Sequence, residues 1–248
     1  MLPGYTRNNP LEVVLFDLDG TLLRVEMNAF IPRYVEGLAE HCREHAKPKK
    51  FIRSMLEAIR ALIREPSSGE QTNEQRLYSH LHQQLALPEV VVREAFMQFA
   101  DNNLASLQEL VRPIPLARKI VESCLQRDLP LVLATNPVFP AFMIEARLRW
   151  GGLGDVPFLH LTSFENSRYC KPQSGYFQEI LDLLQLDPRR CLMVGNDAVQ
   201  DMAAASVGIE TYLVDTWLAE RNGSHWPHDH RGDHSALYRF VQESTRRR

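Results

Sequence analysis

Two carboxylates, Asp17 and Asp19, follow directly on the apolar run Val13–Val14–Leu15–Phe16, and Gly20 and Thr21 complete the turn Asp-Leu-Asp-Gly-Thr. Carboxylates so placed are able to act as nucleophiles, as proton donors and acceptors, or as ligands of a hard cation. Three further polar groups interrupt apolar stretches later in the chain: Thr135–Asn136, Lys171 before Pro172, and Asp197 with Asp201. Each has an ordinary structural use. The first acids suit an acidic surface turn, Thr135 and Asn136 suit a helix cap, Lys171 a solvated lysine, and Asp197 and Asp201 turn and helix-surface acids.

The elements that must carry these residues alternate. The four apolar residues, two of them β-branched and one aromatic, read as a fully buried strand of the kind found inside a parallel sheet. Its carboxyl end, where Asp17 lies, is where open α/β sheets bind their ligands, and Gly20 gives the turn its backbone freedom. Further strands are expected at Leu131–Ala134, Phe158–Leu161, Cys191–Val194 and Glu210–Val214. Helices are expected between them, around Leu116–Leu125, Phe142–Trp150 and Phe177–Leu184, and over Val199–Val207 with Gly208 as its stop. Alternation of this kind implies a Rossmann-like doubly wound α/β core with right-handed crossovers.

After Thr21, some ninety residues carry no strand signal. Ile52, Met55, Leu56, Ile59, Leu62 and Ile63 share a helical face; Leu77, Leu81 and Leu85 continue the pattern, as does a segment from Pro88 through Val92, Phe96 and Phe99, and Asn28–His45 forms a further helix. Residues 24–111 are therefore expected to form an all-helical insertion with a small core of its own, leaving 1–23 and 112–248 as the α/β domain.

Taken in order, the four polar groups resemble the four motifs of the haloacid dehalogenase superfamily: Asp-x-Asp-Gly-Thr, Thr-Asn after the second strand, Lys-Pro, and Gly-Asn-Asp-x-x-x-Asp. The resemblance implies that Asp17 attacks phosphorus to form an aspartyl-phosphate, dividing one hard displacement into two. It implies Mg²⁺ as cofactor, held by Asp17, the main-chain carbonyl of Asp19 and an acid of the last motif, with Asp197 favoured as direct ligand and Asp201 as an outer or lysine-pairing acid, an order open to reversal. Many relatives have an acid where this chain has Asn196. Thr135, the amide of Asn136 and Lys171 would hold the phosphoryl oxygens, and Lys171 would keep Asp17 ionised.

Asp19 decides the reaction class that the resemblance implies. A phosphate ester needs its leaving oxygen protonated and then a water deprotonated, and one carboxyl group serves both steps. Dehalogenases of the family lack an acid there; phosphatases and phosphomutases have it. The expectation is a Mg²⁺-dependent phosphatase acting on a small phosphorylated metabolite. The alternatives are a phosphomutase on the same scaffold and a catalytically silent phosphate-ligand module. The helical insertion lies where the family carries a cap that closes over the site.

The 248 residues carry a formal net charge of −3, which argues against a general nucleic-acid binder. No apolar stretch approaches the ~20 residues of a membrane span, and Met1–Glu12 has no signal-like run, so a cytoplasmic location is expected. The four cysteines form no Cys-x-x-Cys pair, and Cys124 and Cys191 sit in apolar contexts as core residues. His225, His228, His230 and His234 cluster near Trp226 and Pro227, where ordinary surface histidines are a commoner reading than a metal-binding loop.

Overall fold

A computed structural model of the chain describes residues 10–219 and 226–244. Six parallel strands form one sheet in the order β5-β4-β1-β6-β7-β8: β1 is Val13–Phe16, β4 Leu131–Leu133, β5 Phe158–Leu161, β6 Cys191–Gly195, β7 Glu210–Val214 and β8 His230–Gly232. All four residues of β1 are buried, with Val14 and Phe16 packing into one cluster and Val13 and Leu15 into another on the opposite face. A strand that buries both faces must be apolar throughout, which is why the run shows no alternation. β1 lies between β4 and β6, where the strand order reverses, so its carboxyl end opens into the crevice that such sheets offer to ligands.

Helix α7 (Ser174–Leu184) covers one face through Tyr176, Phe177, Ile180 and Leu181. On the other lie α5 (Pro115–Leu125), α6 (Ala141–Trp150) and α8 (His234–Ser244), the last contributing Leu237 and Val241. β8 and α8 lie in the stretch read above as a histidine-rich tail. The short, half-exposed strand His230–Arg231–Gly232 has no β-branched residue and takes its place by pairing with Tyr212–Val214.

The insertion holds α1 (Met27–His41), α2 (Pro48–Arg64), α3 (Asn73–Leu85) and α4 (Glu89–Asn102), followed by a 3-10 turn at Leu104–Leu110. It enters and leaves through a two-stranded antiparallel pair, β2 (Leu23–Val25) with β3 (Val111–Pro113), so the expected all-helical span of 24–111 has a strand overlapping each end. These strands are three residues each, and their pairing joins segments far apart in the chain, so no local turn announces them.

A second departure lies after β6. Residues 202–207 form a 3-10 helix, and the expected start of a helix at Val199 is a turn. The cause is Asp197, whose Oδ1 accepts the amides of Val199 and Gln200, each at 2.9 Å. Gly208 does end this segment, in the left-handed conformation at φ +85°.

Aromatic rings join the insertion to the core. Phe30 and Tyr34 of α1 pack on Phe139, while Tyr78 of α3 and Phe96 of α4 pack on Phe164. The start of α3 is also tied by hydrogen bonds: the amides of Asn73 and Glu74 reach the carbonyls of Ser167 and Phe164, and Asn73 Nδ2 reaches Pro137 O and Tyr169 O.

Candidate active site

Asp17 caps the end of β1, its amide bonded to Val194 O at 2.9 Å. Lys171 comes in from the loop before α7, fully buried, and places its three ammonium protons on three acceptors: Asp17 Oδ1 at 2.7 Å, Asp201 Oδ1 at 2.6 Å and Ala134 O at 2.9 Å. Burial by itself would discharge this amine. The carboxylates of Asp17 and Asp201 outweigh it and hold Lys171 charged beyond the ordinary lysine range. Asp201 is pushed upward, first by burial and then by the negative charge of Asp17, against the pull of Lys171. One residue thereby links the ends of β1 and β4 to the turn after β6.

The turn after β6 is wound tightly around Asp201. Its Oδ2 accepts the amide of Asp197 at 2.9 Å, so both of its oxygens are engaged. A Cβ on Gly195 would lie 2.2 Å from Asp201 Oδ2, which excludes any larger residue there. Asn196 donates from Nδ2 to Trp217 O at 2.6 Å and turns Oδ1 towards Thr21 Oγ1, 3.4 Å away. An aspartate at this position would set an unprotonated oxygen against the Trp217 carbonyl, so the amide fits here where an acid would repel. Gly20 is constrained twice: its φ is +95°, and a Cβ would come within 2.2 Å of Asn196 Nδ2.

The Thr135–Asn136 loop follows β4. The carbonyl of Thr135 accepts both Tyr176 Oη at 2.8 Å and Thr162 Oγ1 at 2.7 Å, which fixes its backbone. Asn136 Nδ2 makes long contacts to Lys171 O and Gln200 Oε1, and its Oδ1 is buried without a partner.

Asp19 points elsewhere. Both its oxygens are held by Nη1 of Arg147, at 3.0 and 2.7 Å, and burial raises its carboxyl above the usual range despite that partner. Sequence reasoning passed over Arg147. Its signal was its place on α6, three and four residues after the buried Ile144 and Met143, a core-facing position that seldom holds an arginine.

The four motif groups thus converge at the carboxyl ends of β1, β4 and β6. A model of the haloacid dehalogenase-like hydrolases matches residues 11–208, a span that includes every one of these groups. The chain belongs to this family. A curated relative, haloacid dehalogenase-like hydrolase domain-containing protein 3 of Xenopus laevis, is 31% identical over 102 residues, covering 41% of this chain and 40% of that protein. The match spans well under half the length of either. A HAD phosphatase from Thermococcus onnurineus shares the fold with a TM-score of 0.57 at 19% identity, covering 93% of this chain and 98% of that one. YfnB of Bacillus subtilis, described as a HAD-hydrolase bound to magnesium, has a TM-score of 0.56 at 17% identity, with coverage of 94% and 99%. L-2-haloacid dehalogenases also match in fold, so likeness of fold does not choose between phosphate and halide as leaving group.

Among the described residues, no three His, Cys, Asp or Glu side chains form a ready cation cage. The donors at the site are all hard oxygens: carboxylates of Asp17 and Asp197, the Asp19 carbonyl and the Asn196 amide oxygen. That donor chemistry suits Mg²⁺, which takes few protein ligands and keeps several waters. Of the tail histidines, His230 bonds Glu210 and His234 bonds Thr216 and the Thr21 carbonyl, His228 is exposed, and His225 lies outside the described residues. No helix among the described residues is long and apolar enough to cross a membrane.

Proposed function

We propose that the protein is a Mg²⁺-dependent phosphatase that hydrolyses a small phosphate monoester through an aspartyl-phosphate on Asp17. The observation that carries this reading is the second carboxylate, Asp19, two residues beyond a buried nucleophile whose other flank is closed by Lys171. Displacement of a halide needs no proton on the leaving atom, whereas an ester oxygen does, and Asp19 supplies one. Its carboxyl, raised by burial, suits a group that must hold a proton for part of a cycle.

Asp17 attacks phosphorus, and its bond to Lys171 fixes the carboxylate in line while leaving the second oxygen to react. Asp19 gives its proton to the departing oxygen and then takes one from the water that opens the acyl-phosphate. The Thr135 hydroxyl and the Asn136 amide hold the phosphoryl oxygens as charge moves across them, and Lys171, its protons committed to Asp17, Asp201 and Ala134 O, supplies positive charge beside them. Asp17, the Asp19 carbonyl and Asp197 would hold Mg²⁺, which when bound offsets the repulsion between the nucleophile and an anionic substrate. What counts against Asp201 in that role is its ion pair with Lys171, already a cation, with its other oxygen on the Asp197 amide. Residues 24–111 act as a cap that excludes water, and a covered site suits a small metabolite better than a phosphoprotein.

The test is a screen with Mg²⁺ over sugar phosphates, nucleotides and short acid phosphates, with 2-haloacids in parallel. Phosphate release that a chelator abolishes is expected. Halide release without phosphate release would replace the reading by dehalogenation.

A further inference from the structure

We propose that Arg147 is a positioning residue for Asp19, and that it makes the placing of that carboxylate depend on how the helical insertion is seated. This rests on the acid–base part given to Asp19 above. Arg147 has no solvent exposure, and a single nitrogen, Nη1, holds both Asp19 oxygens at 3.0 and 2.7 Å. Chelation of both oxygens stops the carboxylate from rotating. An acid–base group must meet its proton within about 0.5 Å of the right place, and a carboxylate on a turn has little else to steady it.

The rest of the guanidinium makes no hydrogen bond. Among the described residues, Nε and Nη2 are buried without partners and Asp19 is the sole side-chain hydrogen-bond acceptor for Arg147, so Arg147 is not a cross-link that happens to touch Asp19. A methionine would fill a similar space without stranding two donors, and what it lacks is the grip on Asp19. Two aromatic faces hold the cation instead. Phe139, from the core, lies 4.7 Å from the guanidinium carbon and Phe30, from α1 of the insertion, lies 5.7 Å from it. The two rings also meet each other edge to face at 5.9 Å. One wall of the seat therefore belongs to the core and the other to the insertion. A shift of α1 moves Phe30, loosens the guanidinium and frees Asp19.

The proposal is tested by kinetics of R147M and R147K on two esters with Mg²⁺ supplied: p-nitrophenyl phosphate, whose leaving group departs unaided, and the most reactive alkyl phosphate from the screen. R147M is expected to lower kcat/KM, which ends at departure of the leaving group and so excludes the water step common to both esters, about 10- to 100-fold on the alkyl ester, the scale of a misplaced catalytic group, and less than about 3-fold on the nitrophenyl ester. R147K should recover part of the alkyl rate. F30L should move the ratio of the two rates in the same direction by a smaller factor. In a D19N background, R147M should do nothing further, because the group it positions is gone. Equal losses on both esters, or additive losses with D19N, would overturn the proposal and leave Arg147 a structural residue. If R147M does not fold, R147K and F30L are read in its place with smaller shifts expected, and an unchanged ratio in both overturns the proposal equally. A wild-type chain that hydrolyses neither ester sinks the phosphatase reading and this one with it, an outcome separable from the others because no variant is needed to see it.

Discussion

Two buried cations each hold one carboxylate of the first motif, and the fold treats them differently. Lys171 spends all three of its protons on acceptors, two of them charged, in a network with nothing left over. Arg147 spends one nitrogen on Asp19 and leaves two buried with no partner, compensated only by aromatic faces. A fully satisfied buried network is rigid, and breaking it strands charges; a half-satisfied one sits closer to alternatives. Asp17, the proposed nucleophile, is thus clamped, while Asp19, proposed to pick up and release a proton, is held by a looser grip. The difference matches the tasks: attack needs one fixed geometry, and proton transfer needs a carboxyl that changes state within a cycle.

The largest expected effect separates the two sides outright. Asp17→Asn should abolish turnover of every ester and leave no covalent phosphate on the protein by mass spectrometry, since an amide forms no acyl-phosphate. Residual steady turnover would move the nucleophile elsewhere. Asp19→Asn should slow phosphorylation of Asp17 by an alkyl phosphate about 10²–10⁴-fold and by a nitrophenyl ester far less, so that the nitrophenyl ester gives a burst of nitrophenolate followed by slow turnover, with phosphate accumulating on Asp17 because the resolving water has lost its base. If both esters suffer alike and no adduct appears, the looser side has no part in proton transfer.

Stability sharpens the same contrast. Lys171→Met leaves Asp17 and Asp201 facing each other in the interior, and a loss of about 3–5 kcal/mol is expected from urea unfolding. Arg147→Met should cost less, because the Asp19 side chain keeps 24% of its exposure and finds water. The reverse ranking would make Arg147 the tighter anchor. For the metal, Asp197→Asn should weaken Mg²⁺ binding in calorimetry more than Asp201→Asn, as expected when only one of the two acids touches the ion.

The smallest effect concerns the brace behind the first motif. His234 Nε2 donates to the Thr21 carbonyl and Nδ1 accepts from the Thr216 hydroxyl, a neutral ring with both nitrogens in use. Burial lowers its pKa below the ordinary 6.5. The unfolded chain therefore takes up a proton there before the folded one does, so this stabilisation is full above about pH 6.5 and declines as pH falls towards the lower folded value. His234→Gln should flatten that part of the pH dependence of the urea midpoint between pH 7.5 and 5.5. An unchanged slope would show that His234 does not set it.

How much of this was legible in the sequence follows from how local each signal is. The inner strands β1, β4 and β6 are apolar throughout because both faces are covered, and were readable on that ground; the edge strand β5 and β7, which carry His160 and Glu210, were readable as short runs placed by the strand–helix alternation. β8 was not: three residues without β-branching, placed by pairing with their neighbour β7. Nor were β2 and β3, which pair across the whole insertion. The motif residues were visible as types at the ends of strands, but their partners were not. Arg147 and Asp19 are 128 positions apart, and only the oddity of an arginine on an apolar helix face marked it. The turn after Asp197 resembles a helix start until its side chain is seen to take the very amides that a helix would have used.

The bond from His234 to Thr21 spans 213 positions. During synthesis, the loop bearing Asp17 and Asp19 emerges early, and its carbonyl brace emerges near residue 234, after the insertion, the central strands and the whole matched family region have left the ribosome. A fragment stopped at residue 208, where the family match ends, would lack β7, β8 and α8 and leave α5 without the helix it packs against. The first motif is thus the first part of the site to be made and among the last to be set in place.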